Sequence, residues 1–91
     1  MPHILTRLRD ADLNLVKQML RDHAPQHQAQ GMTLQHLWVN PENLREVSFL
    51  HRVEDLPAAM TRLRAIHAEA MKNNPATVLP ETIYLEDVPL D

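Results

Sequence analysis

Apolar and polar positions change their spacing along the chain, and each change marks an element. From His3 to Arg9 the pattern alternates, with Ile4, Thr6 and Leu8 on one side and Leu5, Arg7 and Arg9 on the other, as in a strand. Asp10 and Asp12 are both plausible N-caps for a helix on which Leu13, Val16, Leu20 and Ala24 recur at helical spacing while Asn14, Lys17, Gln18 and Arg21 are polar. Pro25 has no N–H and predicts a break near His23–Ala24 with a short second turn after it. Gly31 is the natural left-handed residue to end that helix. Two β-runs follow, Met32–Asn40 and Arg45–Glu54, joined by Pro41-Glu42-Asn43-Leu44, a connection short enough for a hairpin. Asp55 caps a second helix, with Pro57 harmless in its first turn. Its apolar stripe runs Leu56, Ala59, Met60, Leu63, Ile66, His67 and Ala70 until Asn73-Asn74-Pro75 ends it. Thr82–Val88 makes a final strand containing Tyr84, and Pro89 stops it. The order strand–helix–strand–strand–helix–strand is a single α+β domain over residues 1–91, a ferredoxin-like βαββαβ with a four-stranded antiparallel sheet.

The strand faces carry a second message. A sheet covered by helices on one side should alternate cleanly, apolar inward and polar outward. Here one face presents Leu37, Val39, Val47, Phe49, Val53, Ile83 and Leu85, enough to pack on two helices. The other carries Leu5, Leu34, Trp38, Leu50, Tyr84 and Val88 among Arg7, His36, Asn40, Ser48, Arg52 and Glu86. That mixture is too apolar for open solvent and too polar for a dry core. The economical cover is a second copy of the chain, giving a two-fold homodimer whose sheets face each other around a partly polar cavity.

Size points the same way. A chain of 91 residues buries only about 60–65% of its unfolded surface. This one has three aromatics, Trp38, Phe49 and Tyr84, with which to fill a core. Zero cysteines exclude disulfides, thiolate metal sites and cysteine nucleophiles. The net charge is −3 and the bases are dispersed, so no nucleic-acid footprint is expected. No apolar stretch reaches membrane-spanning length and no signal-peptide pattern opens the chain; no membrane partner and a cytoplasmic location are expected. A single glycine rules out a Gly-rich phosphate loop, and Ser48 lacks the elbow context of a serine hydrolase.

Three stretches carry a family resemblance: Asp22-His23-Ala24-Pro25 leading to Gly31-Met32; Leu34-Gln35-His36-Leu37-Trp38-Val39-Asn40; and Glu46-Val47 through Val53-Glu54-Asp55-Leu56. Together they resemble the dimeric α/β-barrel superfamily, which includes antibiotic-biosynthesis-type monooxygenases and stress-responsive domains, and more narrowly its small bacterial cyclase-like members. The first helix departs from the pattern, with Leu13 and Val16 where such relatives often carry an aromatic. The resemblance implies two sheets closed into a dimeric barrel. It also implies binding or transformation of a small hydrophobic or aromatic compound in the barrel cavity, monooxygenase- or cyclase-like, without a cofactor.

Candidate residues follow from face and spacing. His36, Trp38 and Asn40 share a face at period two, so Trp38 can stack on a flat ligand while His36 and Asn40 hydrogen-bond to it. The plainer alternative makes Trp38 a dimer anchor and Asn40 a turn residue before Pro41. Arg7 and Arg52 face the cavity, either for an anionic group or in ion pairs with Glu86 or Glu46, and Tyr84 lines the cavity or its rim. His36, or His23 on its family-like context, is the candidate catalytic base, with Asn40 and Arg7 stabilising an enolate-like anion. His23 and His27 are four apart, but Pro25 interrupts them and no third ligand is near, so no metal site is assigned. The superfamily that the chain resembles also has heme-degrading members, but their Asn–Trp–His spacing is not matched here, so no heme is expected. His51 falls on the helix-packed face unless a one-residue bulge turns it over, His67 lies in the second helix's apolar stripe, and His3 is a solvated strand start. Against the binding or catalytic reading stands a non-catalytic dimeric domain with a stress-response or regulatory role.

Overall fold

A computed structural model describes residues 1–90. Six elements follow one another: β1 (His3–Leu8), α1 (Leu13–Ala29), β2 (Met32–Asn40), β3 (Asn43–Val53), α2 (Leu56–Asn73) and β4 (Glu81–Leu85). The strands form one antiparallel sheet in the order β2-β3-β1-β4. The α+β class, element order and sheet match the sequence expectation and are compatible with a ferredoxin-like fold.

Both helix starts are the capped ones. Asp12 accepts from the Leu15 amide at 3.1 Å, and Asp55 from the Ala58 amide at 3.1 Å. Each satisfies one of the amides that a first helical turn leaves without a partner. Gly31 closes α1 with φ of 76°, and its amide donates to the Gln28 carbonyl at 3.0 Å. A Cβ there would stand 3.3 Å from the Glu54 Cβ, just where the Glu54 amide reaches back to the Gly31 carbonyl at 2.9 Å.

Three details correct the sequence expectations. Helix α1 does not break at His23–Ala24: it runs through Pro25 to Ala29. Proline removes one helical bond, to the Arg21 carbonyl, but both residues are exposed, so that carbonyl is not buried without a partner, and the glycine cap anchors the last turn. The hairpin turn is only Pro41–Glu42, so β3 starts two residues earlier than the pattern suggests. Strand β2 carries a bulge between Leu34 and His36: Leu34 pairs with His51, yet His36 pairs with Leu50. The extra residue switches the alternation, so Leu34 joins the helix-facing side while His36 and Trp38 keep the open face.

The helix-facing side is a core in two parts. Ile4, Met32, Val53, Leu56 and Ala59 form one cluster under α2, joined by Leu63 and Tyr84. Val16, Leu20, Val47 and Phe49 form the other under α1. Ion pairs tie the sheet's margins, Arg9 to Glu81 at 3.0 Å and Arg45 to Asp10 at 2.7 Å. The N-terminal amine pairs with Asp87 just beyond β4. No helix among the described residues is long and apolar enough to cross a membrane.

Gly31→Ala should lower unfolding free energy by about 1–2 kcal/mol, the cost of a left-handed conformation for a residue with a Cβ. Leu15→Ala, at a position 70% exposed, should stay within about 0.5 kcal/mol of the parent. Urea titrations of the two variants measure the contrast.

Candidate functional site

The sheet has two functional faces to offer. On the open face, β1 contributes Leu5 and Arg7, β3 contributes Glu46, Ser48 and Leu50, and β2 contributes Trp38, together lining a shallow groove with Leu85. His36 stacks on Trp38 with ring centroids 5.1 Å apart and planes 18° from parallel. Trp38 remains 47% exposed. Arg7 and Glu46 are paired: the Arg7 Nε donates to Glu46 Oε1 at 3.0 Å. The bond to Arg7 holds the Glu46 carboxyl below the usual carboxylate range, with Asn40 adding to it, and raises the Arg7 guanidinium further. Of the two pairings considered for Arg7, Glu46 is the one formed. That guanidinium is already engaged and offers no free charge to an anionic ligand.

The other sequence-selected residues are spread apart. Asn40 sits at the hairpin end, where its Oδ1 accepts from the Glu42 amide at 2.9 Å, as a turn residue does. Tyr84 is on the opposite face from the one expected. It pairs with Ile4 across β1 and packs into the α2 cluster, with the Arg64 guanidinium 5.7 Å over its ring. Strand β4 ends at Leu85 and its register puts Ile83 and Leu85, not Tyr84, on the open side; Val88 lies beyond the strand. His23 is exposed on α1, across the sheet from His36. The two candidate bases therefore do not share a site.

What the structure does bring together is a different set. Between the sheet and the two helices, in the seam separating the core clusters, lies a chamber of about 170 Å³ that is partly open to solvent. His51 of β3, His27 of α1 and His67 of α2 line it, with Thr6 and Thr82 as the other polar groups. His51 is 2% exposed and its ring lies 5.0 Å from His27 and 5.7 Å from Phe49. Burial, assisted by His27, lowers the His51 imidazole to about 4. Burial also lowers His27, with His23 and Arg62 adding to the effect. No hydrogen bond with a protein group acts on the His51 ring among the described residues, and no buried side-chain polar atom there is sealed off without a partner. His51 is also one of the residues of the chamber wall, so what enters the chamber meets its ring.

Each of these histidines sits where its sequence position implies: His51 in phase with Val47 and Val53, His67 in the α2 stripe, His27 on the buried side of α1. Sequence spacing gives no sign that the three converge, because convergence depends on how far apart the helices sit. No group of three His, Asp or Glu side chains among the described residues is placed to hold a metal ion. The chain matches no protein-family model, and neither the curated proteins nor the solved structures yield a match to it.

Folded His51 stays neutral to about pH 4, whereas an unperturbed imidazole takes its proton near 6.5. Between those values the unfolded chain binds more protons than the folded one, so stability is full above 6.5 and falls as pH drops toward 4. Denaturant midpoints measured across pH 4–7 should show this slope, and His51→Leu should flatten it. An unchanged slope in the variant would place the titration elsewhere.

Proposed function

We propose that this chain is a small-molecule-binding domain that works as a homodimer, its open sheet face covered by a second copy and its ligand held between sheet and helices in each protomer. One observation carries the binding half: a nearly fully buried imidazole without a protein partner, facing a chamber of about 170 Å³. An engineered apolar cavity of about 150 Å³ takes up benzene. By volume, this chamber therefore suits a compound with a single ring. Its walls are mainly apolar, with Ile4, Met19, Met32, Phe49 and Leu63 among them, and a few polar groups to orient what enters.

Binding is better supported than transformation. A general base works best when its pKa lies near the working pH. His51, held to about 4, is a weak proton acceptor at neutrality. His36 and Trp38, the residues favoured by sequence for catalysis, stack on each other on the open face, where one side of the indole is already covered. Their placement suits a packing anchor at a sheet-to-sheet contact.

The dimer half rests on that same face. Leu5, Trp38, Leu50, Ile83 and Leu85 interrupt its polar residues, and Trp38, Ile83 and Leu85 are 47%, 36% and 40% exposed. Arg7 and Glu46 neutralise each other within one protomer, so covering that pair leaves neither of its two charges unpaired. A stable interface needs about 500 Å² from each partner, under a tenth of the 6431 Å² that this chain exposes. This arrangement is that of the dimeric α/β barrels that the sequence resembles.

Light scattering at micromolar concentration should give twice the 10.5 kDa chain mass, and Leu50→Arg should halve it. A monomeric parent would remove the dimer from this reading. Toluene at ten times its Kd should add about 1.4 kcal/mol to stability, or about 5–10 °C in Tm for a domain of this size. Leu63→Phe, which fills the chamber, should abolish that shift; a shift that persists would place toluene elsewhere.

A further inference from the structure

The composition of the chamber wall restricts its occupant further, given the reading that the chamber is a ligand site. Every strand and both helices contribute to that wall, yet none supplies a carboxylate, a lysine or an arginine. The permanent charge that acts on His27 is Arg62 of α2, which turns its Nη2 to the Gln30 carbonyl at 3.4 Å and the Met32 sulfur at 3.7 Å. The titratable groups around His51 are His27, with His23 behind it on α1, and His67 on α2; β1, β2 and β4 bring only neutral side chains to the wall.

We propose that the chamber selects uncharged ring compounds bearing a hydroxyl group, which donates to the unprotonated ring nitrogen of His51, and excludes carboxylate and ammonium compounds of the same size. A neutral imidazole has one acceptor and one donor nitrogen. A phenolic hydroxyl both donates and accepts, and with a pKa near 10 it is un-ionised at neutral pH. It can satisfy His51 and still meet Thr6 or Thr82, the two hydroxyls on the wall.

An anion finds no such match. Its counter-charge would have to come from protonating His51 or His27, whose rings lie 5.0 Å apart in a site that burial already makes unfavourable to charge. An ionic group there would give up part of its hydration without gaining a counter-charge, which is unfavourable. An ammonium group fares no better, since no carboxylate lines the chamber and Arg62 adds positive potential. A purely apolar ring fits the volume but leaves the imidazole without a partner, which costs about 1–3 kcal/mol relative to a bonded one.

The test compares four probes of similar size on the unaltered protein at pH 7, by calorimetry and thermal shift: phenol, toluene, benzoate and benzylamine. Phenol is expected to bind at least tenfold more tightly than toluene, and benzoate and benzylamine at least tenfold more weakly than toluene. In His51→Leu, phenol should fall to the level of toluene while toluene binds as before. Benzoate or benzylamine binding as well as phenol overturns the proposal, as does a phenol preference that survives in His51→Leu. The four-probe comparison decides the matter even where that variant fails to fold. Toluene and phenol both failing to bind overturns the chamber as a ligand site altogether, whereas toluene binding without any preference for phenol overturns the present inference alone.

Discussion

Two helices have to cover one face of a four-stranded sheet with very few large side chains, and the seam this leaves between them shapes the rest of the molecule. Protein interiors are packed as densely as organic crystals, so a gap between two packed clusters must be closed by bulky residues or remain a cavity. Phe49 is the only phenylalanine, Trp38 is committed to the other face, and Tyr84 packs into the α2 cluster. Leu20 and Val16 fill the space under α1, and Leu56 and Ala59 the space under α2. Neither set spans the middle, and the histidines stand there instead.

That substitution has an electrostatic consequence. An imidazole is about as large as an aliphatic core residue but carries two polar nitrogens, and burying polar atoms without a hydrogen bond is unfavourable. Protein groups usually meet that requirement. Around His51 they do not, since its cross-strand partners are Ile4 and Leu34 and its ring neighbours are Phe49 and His27. The same crowding that keeps His51 neutral leaves its bonding capacity for whatever enters the chamber. A charged side chain in that position would have demanded a counter-ion and closed the seam with a salt bridge.

Much of the architecture was legible in the sequence because local rules govern it. Asp12, Asp55 and Gly31 act at helix ends through bonds to residues three positions away or less, so their roles can be read without knowing the fold. The helix-facing positions of β3, His51 included, follow from strict alternation. Features set by longer-range balance were not legible. The bulge at Gln35 flips Leu34 and is invisible to a period-two count. The pattern of β4 puts Tyr84 on the open face because apolar residues lie on both sides of the strand, and only its register against β1 decides which set is buried. Pro25 looked decisive, but one lost hydrogen bond at an exposed position does not outweigh a capped helix of 17 residues. The histidine cluster is hidden for a related reason: His36 and Trp38 share a strand and can be grouped by spacing, whereas His27, His51 and His67 come from three elements.

Strand β3 links the two faces. Its even-numbered residues, Glu46, Ser48 and Leu50, line the open groove, and its odd-numbered ones, Phe49 and His51, line the chamber, so one length of backbone forms a wall of each. Between β2 and β1 it is one of the sheet's two interior strands, hydrogen-bonded on both sides and so more constrained than either edge strand. A polar group that must meet a ligand in a fixed orientation is best placed on such a strand, because rotation of the side chain is then the only freedom left to it. The bulge in β2 fits this division. Opposite Leu50 and His51, the extra residue lets the edge strand change phase without disturbing β3, so that His36 and Trp38 face the open side while the interior strand keeps His51 in the chamber. This irregularity lies on the edge strand, where an unpaired residue is tolerated. A second one, between Val39 and Asn40, places its extra residues in β3 beside the hairpin, so the alternation of β3 is intact from Val47 to Val53.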